Sequence, residues 1–310
     1  MDIGLSIPIR LTADLKEQYV YKAQSVGVFN IWVGDNPPVN NAFLDIGRLI
    51  SKTETMNFWT GVTSPFYYSL EVLFSLSVWF SRNYPGRFGL GLGIGNSDVI
   101  ENDTIKAKPF TNFQMEIDKL QEIIAIRRDQ TGEDDFPPLA FGGLGNKMIS
   151  LATKKADYLL LNSVSEYDIE RALERVRRAT KSSSKKIEII PYGMIQIVSE
   201  KQEMSLTMWN ITKDIAKSCS TNILKSHGYS AKKIEQIRSL EWNRDKKVPK
   251  GDIIEIVNDF GIYGTIEEIL QRLDEVKSYE NNGLIHQLVL GWMHDESQWD
   301  DLREIVKFLR

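Results

Sequence analysis

The sequence predicts an α/β fold, a closed (β/α)8 TIM barrel formed by one domain over residues 1–310. Two observations predict it. Strand-like and helix-like segments alternate from the first residue, and eight such units suit a closed parallel barrel. The competing architecture is a doubly wound open sheet, which would carry a glycine-rich turn after its first strand. The stretch "IPIRLTAD" at that place contains no glycine, so the barrel is favoured.

The pattern of apolar and polar residues along the chain predicts eight strands with helices between them. The strands are Ile3–Pro8, Phe29–Gly34, Phe58–Thr63, Phe88–Gly93, Pro138–Gly142, Tyr158–Asn162, Ile187–Val198 and Leu284–Leu290. The helices are Ala13–Ser25, Ala42–Lys52, Leu70–Ser81, Asn112–Arg128, Lys147–Lys155, Glu166–Thr180, Met204–Ile256, Thr265–Tyr279 and Gln298–Leu309. Thr12 and Thr265 are the expected N-caps of two of them. Residues 200–258 exceed one crossover helix and predict a helical insertion between strands seven and eight.

The stretch "RFGLGLGIGN" (Arg87–Asn96) places a glycine at every second position. This spacing does not fit the G-x-G-x-x-G dinucleotide fingerprint, and period two indicates a strand. Glycine inside a strand marks a close approach to the backbone. We expect Gly89 and Gly91 to be structural and the upper glycines, Gly93 and Gly95, to clear space for a ligand.

Composition and charge narrow the class of protein. A net charge of −4 disfavours a nucleic-acid partner. Cys219 is the single cysteine, which predicts a reducing setting without disulfides. No apolar run is long enough to cross a membrane, and the N-terminus is expected to be a strand, not a signal peptide. A cytoplasmic location follows as an expectation.

Few acid–base groups lie at the carboxyl ends of the strands, where barrel enzymes place their active sites. His227, His286 and His294 are scattered, so no metal site is predicted. His286 is expected to pack in the core and His294 to lie in a loop. Such a set is typical of enzymes whose chemistry belongs to a bound cofactor.

The stretch "FGGLGNK" (Phe141–Lys147) offers backbone amides at a predicted helix start, which is a ready anion site. Lys147 adds a positive charge. The alternative is that these glycines only form a tight turn.

Five stretches, in this order, resemble the luciferase-like flavin and deazaflavin superfamily, most closely its branch that uses coenzyme F420. They are "VGVFNIWVGDN" (Val26–Asn36), "TETMNFWTGVTSPF" (Thr53–Phe66), "NYPGRFGLGLGIGN" (Asn83–Asn96), "FGGLGNKMISLATKKADYLLLNS" (Phe141–Ser163) and "FGIYGTIEEILQRLDEV" (Phe260–Val276). The resemblance implies a homodimer or homotetramer and a non-proline cis peptide at Gly61–Val62.

The resemblance also implies roles for individual residues. The residues implied to lie behind the deazaflavin ring are Gly61, Val62, Thr63 and Ser64. Those implied to contact its edge are Asp35 and Asn36, and those beside the cofactor are Gly93, Gly95 and Asn96. Its phosphate would be bound by Gly143, Leu144 and Gly145, beside Lys147. Asp35 is the surviving ionisable candidate for catalysis, with a buried structural carboxylate as the alternative.

This chain departs from the family pattern where proton donors are usual. Asn36 stands where much of the family has histidine. Ser6 stands where the reductases of the F420-dependent branch have an acidic residue, and Phe66-Tyr67-Tyr68 stand where Arg-His-Pro is common in the family. Three functions therefore stay open. The first is an F420-dependent oxidoreductase acting on a small or pterin-like substrate; the others are an FMN-dependent monooxygenase and a non-catalytic paralogue.

Overall fold

The structure is a computed structural model, and it describes residues 1–37, 39–95, 103–181, 186–199, 204–241, 255–292 and 298–310. The strands are β1 (Asp2–Ile7), β2 (Asn30–Val33), β3 (Asn57–Thr60), β4 (Phe88–Leu92), β5 (Leu139–Gly143), β6 (Tyr158–Leu161), β7 (Glu188–Ile197), β8 (Gly261–Gly264) and β9 (Gln287–Trp292). The helices are α1 (Ala13–Ser25), α2 (Ala42–Ile50), α3 (Leu70–Asn83), α4 (Asp103–Ala107), α5 (Pro109–Thr131), α6 (Asn146–Lys155), α7 (Glu166–Thr180), α8 (Leu206–Ser218), α9 (Thr221–Ser226), α10 (Ala231–Ser239), α11 (Glu255–Phe260), α12 (Ile266–Ser278) and α13 (Trp299–Leu309).

The strands close into the predicted barrel. β1 to β7 pair in chain order, and β9 joins β7 to β1, with every one of these pairings parallel. β8 was not predicted from the sequence. It is a short strand that pairs with the upper part of β7, Met194–Ile197, outside the eight-stranded ring.

The segment between β7 and β8 differs from the one long helical stretch that the sequence predicts. It contains α8, α9, α10 and α11. Ser205, Ser220 and Ser230 each accept a hydrogen bond from an amide in the following turn, so each begins a new helix. The extent of the predicted insertion stays a prediction, and residues 242–254 lie outside the described part.

Two apolar layers fill the molecule. The outer layer joins the strands to the helices and includes Phe88, Leu90 and Leu92 of β4. The inner layer lies inside the barrel, where Trp32 stacks on Trp59 at a centroid distance of 5.0 Å. Trp59 therefore lies inside the barrel and not against the surrounding helices.

The inner layer explains the first glycine of "RFGLGLGIGN". A Cβ on Gly89 would lie 2.2 Å from Cε3 of Trp59. Only glycine admits the indole at this point, so the bare face of β4 is matched to the large side chain on the neighbouring strand.

His286 also differs from its prediction. It lies one residue before β9 and is exposed, because the strand begins at Gln287. His294 lies outside the described residues. Among the helices that the structure describes, none combines the length and the apolar content needed to span a bilayer.

Candidate functional site

The chain after β3 forms a bulge, here defined as residues 61–64, that is tied to both neighbouring strands. The Gly61–Val62 peptide bond is cis, as the resemblance implies. On one side the Gly61 amide donates to Val33 O at 2.7 Å, and on the other the Thr63 amide donates to Gly91 O at 2.9 Å. The bulge therefore has a fixed place at the carboxyl end of the strands.

Glycines of the next two strands make room for the bulge. A Cβ on Gly93 would lie 2.7 Å from Cγ2 of Val62, and one on Gly142 would lie 2.9 Å from its Cγ1. The space beside Gly93 thus admits Val62, a neighbour in the same chain. Gly95 has φ +89°, and a Cβ there would lie 2.8 Å from the Tyr67 hydroxyl. Asn96 lies outside the described residues.

Asp35 follows β2 and is buried beneath the bulge. Its Oδ2 accepts hydrogen bonds from the Thr63 hydroxyl at 2.6 Å and the Tyr68 hydroxyl at 2.8 Å. Its Oδ1 accepts from the Ala42 amide at the start of α2, at 3.1 Å. These three contacts are those of a carboxylate that holds the bulge, the helix and Tyr68 together. The catalytic role that the sequence assigns to Asp35 stays a prediction.

Tyr68 is fixed by the same carboxylate. Its hydroxyl also accepts from the Asn41 side chain at 3.0 Å. Burial, followed by the charge and hydrogen bond of Asp35, raises the pKa of Tyr68 well above its ordinary value. The tyrosine therefore stays protonated and keeps donating to Asp35.

Ser64 and Asn36 behave differently from each other. The Ser64 hydroxyl is buried and donates to Ile94 O at 2.9 Å, so it joins the bulge to the end of β4. The Asn36 side-chain oxygen is buried and has no hydrogen-bond partner among the described residues. A buried acceptor without a donor is costly unless a ligand supplies one.

The opposite side of the barrel mouth carries Tyr192, which the sequence analysis did not single out. Burial raises the pKa of Tyr192 to about 12, and a hydrogen bond with Ser6 partly offsets this. A Cβ on Gly291 would lie 2.8 Å from the Tyr192 hydroxyl. Tyr192 is therefore protonated, and its hydroxyl, which lies beside Ser6, donates to Met194 Sδ at 3.3 Å. Its alternation with Ile190, which packs in the inner layer, was the sequence signal for it.

The turn from β5 to α6, residues 143–146, is where the sequence predicts phosphate binding from "FGGLGNK", and we call it the phosphate loop after that prediction. Gly145 is the N-cap of α6 and provides no side-chain cap. Gly143 is packed tightly, since a Cβ there would lie 2.7 Å from Cγ of Met148. Lys147 is exposed at the first turn, with its amine 5.7 Å from the Phe110 ring. The uncapped helix start is thus open to an anion.

A buried network that the sequence did not predict holds the phosphate loop from behind. Arg171 of α7 donates to Leu144 O at 3.0 Å and to Asn146 Oδ1 at 2.7 Å. It also pairs with Asp168 at 2.6 Å, and Asp168 contacts His227 Nε2 at 2.9 Å. His227 follows α9, so the network joins the segment after β7 to the phosphate loop.

The charges in this network support one another. Burial alone would lower the pKa of His227, but its hydrogen bonds to Asp168 and Asp259 and the charges of both carboxylates raise it to about 9. Burial alone would raise the pKa of Asp168, and His227 and Arg171 outweigh it, so that pKa is lowered. Both residues are therefore charged near neutral pH. In the described part of the chain, this network included, no group of three or more His, Cys, Asp or Glu residues could hold a metal ion.

Three similar proteins bear on this site. The 5,10-methylenetetrahydromethanopterin reductase of Archaeoglobus fulgidus is 22% identical over 294 residues, covering 86% of this chain and 89% of the relative. The coenzyme F420-dependent tetrahydromethanopterin reductase of Methanopyrus kandleri has a similar structure, with a TM-score of 0.77, 16% identity and 99% of each chain covered. An F420-dependent secondary alcohol dehydrogenase in complex with an F420–acetone adduct superposes with a TM-score of 0.67 and 17% identity, covering 100% of this chain and 99% of that one.

The two structural likenesses agree with the barrel, and family membership rests on a separate match. The family model for luciferase-like monooxygenases matches residues 1–283. This range includes the bulge, the phosphate loop and the His227 network. The chain belongs to the luciferase-like monooxygenase family.

Proposed function

We propose that this chain is a coenzyme F420-dependent oxidoreductase that transfers a hydride between the deazaflavin and a small or pterin-type substrate. One geometric observation supports it most directly. Gly142 packs against Val62 of the bulge, and α6 begins uncapped four residues later. A flat ring on the bulge and a phosphate at α6 would thus belong to one ligand. Two of the similar structures are of F420-dependent enzymes, which agrees with this choice.

The residues present fit such a coenzyme. The orphaned Asn36 oxygen suits a ring N–H donor, and the uncapped start of α6 with Lys147 suits a phosphate. The coenzyme supplies the hydride chemistry, and the protein supplies orientation and exclusion of water. In this proposal the residues that contact it are Asn36, Gly61, Val62, Thr63, Ser64, Gly93, Gly95, Asn96, Gly143, Leu144, Gly145 and Lys147.

Two further residues act around the ring. Asp35 orients the bulge, since its hydrogen bonds join Thr63, Tyr68 and the start of α2. The pKa of Tyr192 is raised to about 12, so its hydroxyl stays protonated near neutral pH. In this proposal it donates a hydrogen bond to a polar substrate atom. Ser6, beside Tyr192, cannot replace the acidic group of the reductase branch. A substrate that needs little protonation is therefore favoured.

The test is a pair of fluorescence titrations of the purified protein, one with oxidised F420 and one with FMN. We expect saturable quenching at micromolar F420 and none at the same concentrations of FMN. Binding of neither would overturn the proposal and favour a non-catalytic paralogue. The Asn36→Ala variant should weaken F420 binding about tenfold, because it removes the acceptor for a buried ring donor.

The second candidate is an FMN-dependent monooxygenase, which the description of the matching family favours. Tight FMN binding without F420 binding would move this function to first place. The same phosphate loop would then hold the phosphate of FMN, so the comparison between the two titrations decides between the candidates.

We also propose that the protein is a homodimer or homotetramer in the cytoplasm. Three of the exposed large apolar side chains lie on the adjacent helices α2 and α3, where Leu44 is 75%, Val72 48% and Trp79 50% exposed. Gly47 of α2 packs near Phe80 of α3, so the two helices form one face. Light scattering coupled to size-exclusion chromatography should give a mass at least twice that of the 35.5 kDa monomer. The double variant Leu44→Glu/Trp79→Glu should have the mass of one monomer.

A further inference from the structure

An open groove on the outside of the barrel, here called the basic groove, begins beside the phosphate loop. It has a volume of about 520 Å³ and lies between α5, α6 and α7. Its lining includes Phe110, Gln114, Lys147, Ser150, Lys154 and Arg175. It differs from the barrel mouth, because its walls are the outer faces of helices.

The charge of the basic groove is unbalanced. Lys147, Lys154 and Arg175 have no carboxylate partner among the described residues. Lys155 is the paired cation of the groove, since it contacts Asp118 and Gln121. The whole chain has a net charge of −4, so three unneutralised cations in one groove form a local positive field.

Some exposed arginines of the described chain are neutralised by carboxylates, whereas Arg177 and Arg310 donate instead to an amide oxygen and a backbone carbonyl. Arg48 pairs with Asp14 and Glu17, and Arg82 pairs with Glu133 and Asp135. Arg178, one turn after Arg175 on α7, pairs with Glu174. Within the described residues, the three cations of the basic groove lack the carboxylate that Arg48, Arg82 and Arg178 have, and they lie together in one groove, where an anionic ligand can contact all three.

The groove continues directly from the phosphate loop along α6. Lys147 and Lys154 are seven residues apart and therefore lie on one face of the helix, about 10 Å apart along its axis. An extended chain covers this length with about three residues. An open, basic and elongated groove suits a flexible polyanion and not an enclosed apolar molecule.

We infer that the basic groove binds a chain of carboxylates that continues from the phosphate held at the start of α6. This inference rests on the proposed function, since coenzyme F420 carries a chain of linked glutamates beyond its phosphate. The shared chemistry is a run of carboxylates spaced along an extended chain. Its source is either this tail or a separate oligoglutamate.

The contacts would be exposed ion pairs, which are individually weak and sensitive to salt. Three of them together should increase affinity by about tenfold at low ionic strength, and by little at high ionic strength. The effect would appear in affinity and leave the barrel unchanged, because Lys154 and Arg175 touch neither the bulge nor the phosphate loop's backbone.

The test compares F420 lacking glutamates with F420 carrying several, by fluorescence titration of the full chain at low salt. For the unmodified protein we expect the tailed form to bind about tenfold more tightly. The double variant Lys154→Gln/Arg175→Gln should bind both forms with the dissociation constant of the tail-less one. The control Arg178→Gln removes the same charge from α7 outside the groove and should keep the preference.

Each outcome bears on a different claim. Equal binding of both forms by the unmodified protein, or a preference that survives in the double variant, would overturn the assignment of the tail while leaving the proposed function intact. Binding of neither form would overturn both. A free γ-linked oligoglutamate that binds only with Lys154 and Arg175 present, while the two coenzyme forms bind equally, would assign the groove to a separate polycarboxylate.

Discussion

Two neighbouring turns of the barrel, from β5 to α6 and from β6 to α7, treat the start of their helix in opposite ways. Gly145 leaves α6 uncapped. Ser165 caps α7 by accepting from the Asp168 amide at 3.3 Å, and Ser163 accepts from the Ser165 amide at 3.1 Å. The first turn leaves amides for a ligand and the second satisfies its own.

The second turn also supports the first. Asp168, in the first turn of α7, is fully buried and orients Arg171, which holds Leu144 and Asn146 of the phosphate loop. The difference teaches that a loop can keep backbone amides free for a ligand when a neighbouring turn, whose own amides are hydrogen-bonded, holds the loop's backbone in place. The predictions below test that division, from the largest expected effect to the smallest.

Asp168→Asn should produce the largest loss. It leaves Arg171 buried without its carboxylate partner and leaves His227 with Asp259 alone, and breaking a buried pair costs about 3–5 kcal/mol. The free energy of unfolding, from chemical denaturation, should fall by this amount, and F420 affinity should fall with it. Glu174→Gln on the same helix breaks an exposed pair and should change stability by less than about 1 kcal/mol. Equal effects of the two variants would contradict the role of the network.

Gly145→Asp should separate function from stability. Gly145 has φ −74°, and a Cβ there meets nothing closer than Ile223 at 4.0 Å, so the aspartate fits and caps α6. Stability should rise by about 1 kcal/mol. Affinity for F420 should fall about 100-fold, because a carboxylate then occupies the amides and repels the phosphate. Gly145→Ser adds a cap without a charge, so its affinity for F420 should lie between those of the unmodified protein and Gly145→Asp. Unchanged affinity in Gly145→Asp would show that the phosphate binds elsewhere.

The network should make stability depend on pH. The folded-state pKa of His227 is raised to about 9, above its unfolded value of about 6.5. Its contribution is therefore fully present below about pH 6.5 and is lost as pH rises through about 9. Chemical denaturation from pH 6 to pH 10 should show a decline that is smaller in His227→Gln. Parallel curves for the two proteins would contradict the charged histidine.

Ser165→Ala should have the smallest effect. It removes the cap of α7, which costs about 1 kcal/mol, and the hydrogen bond from the Ser165 hydroxyl to Asp168 Oδ2 at 3.0 Å, but Asp168 keeps its pairs with Arg171 and His227. The thermal midpoint should fall while the dissociation constant for F420 changes less than about twofold. A large loss of F420 affinity with stability intact would mean that the second turn also contacts the ligand.

Local signals predicted much of the fold. Thr12 and Thr265 cap helices as expected, and Thr265 forms a capping box with Glu268. The strand of "RFGLGLGIGN" points its apolar residues toward the helices, as its period of two predicts. The cis peptide at Gly61–Val62 followed from the family resemblance and is present. The uncapped α6 start was visible as glycines before a helix.

Other features could not be found along the chain. β8 is a strand because the upper part of β7 offers it a free edge, and its own sequence gives little period. Arg171 meets Leu144 across 27 residues, and His227 meets Asp168 across 59. Such pairs depend on which helices lie side by side, and sequence periodicity carries no information about that.

The sequence by itself determined the alternation of strands and helices, the period-two glycines of β4 and the open helix start after β5, because each is a property of consecutive residues. Only the tertiary structure decided what those glycines admit. Gly89 admits Trp59 and Gly93 admits Val62, each from the neighbouring strand. It also decided that Asp35 is saturated by three donors. Close packing between strands sets which side chain fills each space, and that packing exists only once the barrel is closed.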